Sequence, residues 1–212
     1  MDFAKSNHPI ENPSADFQTF LNDYFTGSPM IRYRLEEDIT VWDRLEGQEL
    51  ETAKQMIFAN LGHDCAYVRA IEYCRDARGI PLLENLLRTN TSGFHYERLC
   101  AARALYDWIG YAPYLDLLQE LLPQSGSYTK STLDTWIHGL DKALATHYIF
   151  LMLRDEDSFV RWCAFGTLTR YFHIKVKDNY AENTYYTGDA VYHNQELFEA
   201  RLKELEERIA GR

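Results

Sequence analysis

The chain has 212 residues, 46% of them hydrophobic and 25% charged, which suffices for a sizeable core and excludes wholesale disorder. Its net charge of −10 speaks against a nucleic-acid binder, because tracking phosphates needs a basic stripe that displaces counterions. The acidity is uneven: residues 1–60 hold 11 acids against 5 bases, whereas residues 61–212 hold 21 against 17. Such an excess keeps a protein soluble and also steers basic partners toward it. Cys65, Cys74, Cys100 and Cys163 form no CxxC pair and no dense framework. Each sits among apolar helical residues, where a free thiol packs as a small hydrophobe, so the expected setting is a reducing cytoplasm. No apolar stretch reaches the length of a membrane span, and Met1 to Glu11 lack the basic start and apolar run of a signal peptide.

In chain order, Ser14 reads as the N-cap of a short helix with the apolar stripe Phe17, Phe20, Leu21, Tyr24 and Phe25, stopped by Gly27. Ser28-Pro29 starts a second segment, with Leu35, Ile39 and Trp42 at helical spacing. A third helix is expected from about Gln48 to Leu61, with Leu50, Ala53, Ile57 and Leu61 on one face and Gly62 closing it. Glu49 and Glu51 fall in its first turn, where the helix dipole favours acids.

From residue 63 onward the chain repeats. A helix around Val68-Arg69-Ala70 is followed by a turn through Gly79 and a second helix with Pro81 near its start and Leu83 and Leu86 along it. A shift of 32 residues brings Pro113 onto Pro81, Leu115 onto Leu83 and Leu118 onto Leu86. A second shift of 32 brings Ala145, His147 and Phe150 to the same places, and Asp157-Ser158-Phe159-Val160-Arg161 then opens another first helix. First helices are therefore expected at about 64–75, 95–108, 131–139 and 158–171. A helix pair of this length cannot bury its own apolar face, but stacked pairs bury a continuous core.

The acid followed by Val-Arg at Asp64/Val68-Arg69 and at Asp157/Val160-Arg161, with the Ile-Pro-Leu-Leu and Ala-Pro-Tyr-Leu helix starts, resembles the HEAT-repeat family, in particular short bacterial HEAT-like repeats. The resemblance covers roughly residues 48–172 and implies an all-α solenoid of stacked helix pairs. Residues 1–47 would then form a helical N-terminal extension to a repeat domain of residues 48–212. The spacing of 32 is shorter than the usual HEAT length, and the third unit lacks both the Val-Arg pair and the proline. Residues 173–193 break the pattern with Tyr180, Tyr185, Tyr186 and Tyr192, and are expected as a tyrosine-rich loop inserted into the last repeat. Asn194 then caps a final helix of about 195–210, carrying Leu197, Phe198, Leu202, Leu205 and Ile209.

Signals for catalysis are thin. Asp134, His138 and Asp141 share a helix face, but a His/Asp helix pair is more often a surface hydrogen bond than a metal site, and no metal or cofactor is expected. His147 stands where leucine stands in the other repeats and reads as a packed neutral side chain. HEAT-like hydroxylases hold iron through His-Glu dipeptides, and no histidine here precedes a glutamate. HEAT-like DNA glycosylases need a basic groove, against which the acidic balance argues. There is no GxSxG, HExxH or Gly-rich phosphate loop.

What remains is surface. The 32-residue shift aligns Glu84 with Asp116 and Tyr148, and Arg88 with Glu120 and Met152, beside the leucine stripe. In a solenoid these second helices line the concave face, so Glu84, Asp116, Glu120 and Tyr148 are the expected docking residues for a basic protein, joined by Tyr185 and Tyr186. The expected function is a non-catalytic, cytoplasmic protein-binding module, possible as an immunity or antitoxin-type inhibitor of a basic partner. The alternative is a HEAT-like enzyme or lyase subunit acting on DNA or a cofactor.

Overall fold

The computed structural model describes residues 9–28, 31, 37–89 and 95–210. Among these residues the regular elements are all helical and no strand occurs. The chain forms two compact units that meet in sequence between Gln119 and Glu120.

In the first unit, α1 (Ala15–Leu21) begins at the expected cap, where the Ser14 hydroxyl accepts the Phe17 N–H at 3.1 Å. One π-helical turn, Asn22–Thr26, carries the chain to Gly27. The helix start expected at Pro29, and Leu35 after it, lie outside the described residues. Ile39 and Trp42 fall in a 3-10 helix, Ile39–Asp43. Phe17, Phe20, Tyr24, Val41 and Trp42 are buried together, with Phe20 and Trp42 edge-to-face at 5.2 Å. The Trp42 indole N–H donates to the Tyr24 hydroxyl at 3.2 Å, and burial pushes that phenol well above its usual titration range.

Helices α2 (Gly47–Asn60), α3 (Cys65–Cys74), α4 (Gly79–Thr89), α5 (His95–Ile109) and α6 (Tyr114–Leu121) follow. Gly62, at φ +97°, turns the chain out of α2 in a conformation that side-chain-bearing residues rarely adopt. The Asp64 carboxylate accepts the Ala66 N–H at 3.0 Å and so starts α3. Helix α2 packs on α3, and α5 packs on both α3 and α4. Gly79 is needed at the α3–α4 turn because a Cβ there would come within 2.4 Å of the Ile71 side chain. Leu83, Leu86 and Leu118 are buried as expected, but Leu115, aligned with Leu83, is only half-buried and Tyr114 beside it is buried in its stead. Tyr67 of α3 donates its hydroxyl to the Tyr24 carbonyl at 3.1 Å. The aromatic N-terminal segment therefore shares its core with the first repeat helix.

In the second unit, the single helix expected at 131–139 is two short ones, α7 (Ser127–Ser131) and α8 (Leu133–Ile137). The Thr129 carbonyl explains the break. It accepts from the Thr132 hydroxyl at 2.9 Å and from the Trp136 indole at 2.8 Å, side-chain bonds that compete with the helical ladder. Helix α9 (Lys142–Leu153) is capped by Asp141, and α10 (Ser158–Tyr171) by Asp157, whose carboxylate accepts the Phe159 N–H at 2.8 Å. Helices α7, α8 and α9 all pack on α10.

Three expectations need correction here. Residues 173–193 are not an extended loop: they fold into α11 (Asn179–Thr187), capped by Asp178, and the single turn α12 (Asp189–Tyr192). Helix α11 packs on α10 and on the final helix, α13 (Gln195–Ala210), which also receives α12. His147 is exposed rather than packed, and Tyr148 and Met152 are buried rather than surface-facing. Judged by burial the spacing is not a constant 32: Tyr114 and Leu118 stand where Leu83 and Leu87 do, 31 residues on, and Tyr148 and Met152 follow another 34 on.

Leu118→Ala should lower unfolding stability by about 2–5 kcal/mol, and Leu86→Ala by a similar amount, because each leaves a cavity between packed helices. Chemical denaturation measures both, and an unchanged midpoint would place the leucine at the surface. A second outcome concerns acid. Arg78 holds the Glu51 carboxyl down at about 2 and that of Asp76 well below its usual range, bonding Glu51 at 2.6 Å and Asp76 at 2.7 Å. Depressed carboxyls contribute stability above the unfolded carboxyl pKa of about 4, and that contribution fades as pH falls toward the folded values. Urea melts between pH 5 and pH 2 should therefore show a smaller acid-induced loss for Arg78→Met than for the parent.

Candidate functional site

The six residues singled out for docking fare differently. Asp116 and Glu120 are both exposed, four positions apart and so on one face of α6, and neither makes an ion pair among the described residues. Glu84 is half-buried on α4. Tyr148 is buried in α9 and leaves the candidate surface, for the register reason above. Tyr186 leaves it too. Its ring stacks on Phe165, its hydroxyl donates to Glu204 at 2.9 Å, and Arg208 donates to that hydroxyl at 3.0 Å. Only Tyr185 remains accessible, and even it is held by the Arg201 guanidinium at 3.7 Å and by a hydrogen bond to Glu204. The tyrosines were expected to reach out to a partner; most of them bind α13 instead.

A buried arginine organises the same segment. Arg161 of α10 is fully buried and donates to the carbonyls of Asp155 at 2.9 Å, Glu156 at 2.8 Å and Thr187 at 3.0 Å. It also pairs with the Asp189 carboxylate and lies 4.0 Å from the Tyr192 ring centroid. Thr187 ends α11 and Asp189 begins α12, so one guanidinium holds the junction of both helices. Asn183, also buried, donates to the Trp162 carbonyl at 3.1 Å and fixes the other side of α11.

Asp134, His138 and Asp141, which share a helix face in the sequence pattern, do not converge. Asp134 pairs with Arg170, Asp141 caps α9 by accepting the Leu144 N–H at 2.9 Å, and His138 is exposed beyond the end of α8. Among the described residues no group of three metal-binding side chains comes together, and no described helix is long and apolar enough to cross a membrane.

The sequence reading missed a cleft in the first unit, of about 530 Å³, lined by Glu37, Ile39, Arg69, Glu72, Tyr73 and Arg75. The Val-Arg motif marks it, since Arg69 pairs there with Glu37, whose second carboxylate oxygen is buried without a hydrogen bond. Burial, reinforced by Asp107, raises the Glu72 carboxyl above its usual range. Tyr73 donates its hydroxyl to Asp43 at 2.6 Å. Arg75 ends α3 in the left-handed conformation, φ 49°, with its guanidinium 5.8 Å from the Trp108 ring centroid. The cleft thus offers both charge signs beside an apolar and an aromatic wall, a lining suited to gripping a polar side chain.

Comparison with protein-family models, with curated proteins and with solved structures finds no match. The function must therefore be argued from the geometry alone.

Arg161→Met should cost about 3 kcal/mol or more, since three carbonyls lose their donor and a buried pair is broken. Asp189→Asn should cost less than about 1 kcal/mol, because that carboxylate is largely exposed. Denaturant melts give both values, and hydrogen exchange should show faster opening of residues 179–192 in the arginine variant. Equal losses in the two variants would refute the assignment of the arginine as the organiser.

Proposed function

We propose that the chain is a non-catalytic protein-binding module built from HEAT-like helix pairs, and that its partner is a basic protein. The observation that carries this reading is the pair of exposed carboxylates on α6, Asp116 and Glu120, which no cation of the described chain neutralises. Several other acids are tied down, Asp16 and Asp38 by Arg44, Glu51 and Asp76 by Arg78, Asp155 by Lys130, although Glu196, Glu206 and Glu207 of α13 are likewise exposed without an ion pair. Like charges four positions apart on a helix repel each other, so they weaken the fold slightly and are better motivated by a cationic surface that meets them.

The helix packing supports the solenoid part of the reading. In the first unit, the first helix of one pair, α3, packs on the first helix of the next, α5. In the second unit, α7 and α8 together stand in for a first helix and pack on α10. That is the neighbour relation stacked pairs require. The four free cysteines accord with a reducing cytoplasm. An inhibitor of a basic toxin domain, of the immunity or antitoxin kind, is the specific form that the acidity and the size accommodate.

The test is to isolate the partner by cross-linking in the native cell and then measure its binding kinetics. Charge reversal, Asp116→Lys with Glu120→Lys, should slow association about tenfold at low ionic strength and flatten its salt dependence, with dissociation little changed. Unaltered kinetics would remove α6 from the interface. In parallel, fluorescence anisotropy with duplex DNA should show no useful affinity at physiological salt. Tight binding that weakens steeply with added salt would instead favour a HEAT-like enzyme acting on DNA.

A further inference from the structure

The first unit holds a buried acceptor without a donor. The Glu37 side chain is only 4% exposed, and Arg69 of α3 takes just one of its carboxylate oxygens. The other, Oε2, is buried and has no hydrogen-bond partner. Native proteins rarely leave such an atom unmet, because it has given up its water and gained nothing in return. Glu37 lines the cleft of about 530 Å³ described above, a volume in the range of small-ligand sites.

Helix α3 gives the same cleft a second carboxylate. Arg69, Glu72 and Tyr73 all line it, three and four positions apart and so on one helix face. Glu72 makes no hydrogen bond or ion pair among the described residues. The two cations of the lining, by contrast, are already engaged. Arg69 is taken up by Glu37, and Arg75 donates to the Asp107 carbonyl at 3.2 Å with its guanidinium over the Trp108 ring. The cleft therefore lacks donors, not acceptors. Its remaining wall is apolar: Ile39, and the ring of Tyr73, which is pinned through its hydroxyl to Asp43 at 2.6 Å.

We propose that this cleft binds an alkyl guanidinium, whose planar head donates to Glu37 Oε2 and to the Glu72 carboxylate while its stem lies against Ile39 and Tyr73. A guanidinium carries five donors in a fixed fork, enough for two separate carboxylates, and it sheds water more readily than an ammonium does. An alkyl stem packs on apolar surface while the charged head finds its partners. The terminal torsion of a glutamate is soft, so a small turn of the Glu37 carboxylate presents its unbonded oxygen to the entering head. The source is either an arginine side chain of the basic partner proposed above, and to that extent it rests on that reading, or a free guanidino compound. The recognition chemistry is the same for both.

The test titrates the isotope-labelled full chain with n-propylguanidinium and follows backbone amide shifts by NMR. The shifts should cluster at Glu37, Ile39, Glu72 and Tyr73, and the neutral isostere n-propylurea should bind at least about tenfold more weakly. Glu72→Gln should lower the guanidinium affinity about tenfold, and its fold should persist because that carboxylate bonds nothing in the described chain. Glu37→Gln should lower it as well; since that change also disturbs the pair with Arg69, Glu72→Gln decides if the Glu37 variant fails to fold. A capped Gly-Arg-Gly peptide that binds more tightly than n-propylguanidinium supports the proposal with a protein arginine as source, and one that binds more weakly supports it with a free compound. Shifts confined to other surfaces, equal affinity for n-propylurea, a stronger response to propionate, or an unaltered affinity in Glu72→Gln would overturn it. None of these measurements involves α6, so failure here would leave Asp116 and Glu120 as docking residues, and failure of charge reversal there would leave the cleft.

Discussion

Arg69 and Arg161 each follow a valine in the first turns of a helix, α3 and α10, and each reaches past that helix to an acid on another segment of its own unit. Arg69 pairs with Glu37 of the N-terminal segment, and Arg161 with Asp189 at the start of α12. A guanidinium can do this because it presents five donors in a fixed fork and remains charged when buried. The rest of each unit follows from that anchoring. In the second, Arg161 satisfies carbonyls on both flanks of α10 and so lets α11 and α12 close over its otherwise exposed side. Within each unit, therefore, an arginine ties a helix to a segment distant in sequence.

Aromatic side chains supply the apolar half of the same union. In the first unit, Phe20, Tyr24 and Trp42 meet Tyr67 of the first repeat helix, and every phenol or indole polar atom in the cluster with a described bond stays within the protein. In the second, Tyr186 lies on Phe165, and Tyr192 lies between Arg161 and Phe198. Large amphipathic rings suit this task because they bury much area and still bond through the polar tip. The same property made them attractive candidates for a partner surface, and composition alone does not distinguish the two uses.

With Tyr148 and Tyr186 buried and Tyr185 held by Arg201 and Glu204, charge is the main feature left on the candidate surface. Unneutralised acids stand on α6, while a cleft of mixed sign lies beside Arg69. Charge at the surface acts at a distance and mainly governs encounter, whereas a lined cleft selects what is held afterwards.

The helices themselves were legible in the sequence. Ser14 and Asn194 cap them as read, Asp64 and Asp157 cap the helices their segments were read to open, and Leu83, Leu86 and Leu118 are buried. These features depend on neighbours within a turn or two, and a linear pattern records such neighbours faithfully. Register across the third pair was not legible, because one extra residue rotates a helix by about 100°, enough to bury Tyr148 and expose His147. Nor was the fate of residues 173–193, which look like a loop until Arg161 and α13 offer their polar groups partners. The cleft around Arg69 depends in the same way on which segments lie side by side. Periodicity determined that this chain would be helical and where its helices begin; only tertiary packing decided which polar and aromatic groups would meet, because those meetings join residues that the sequence holds far apart.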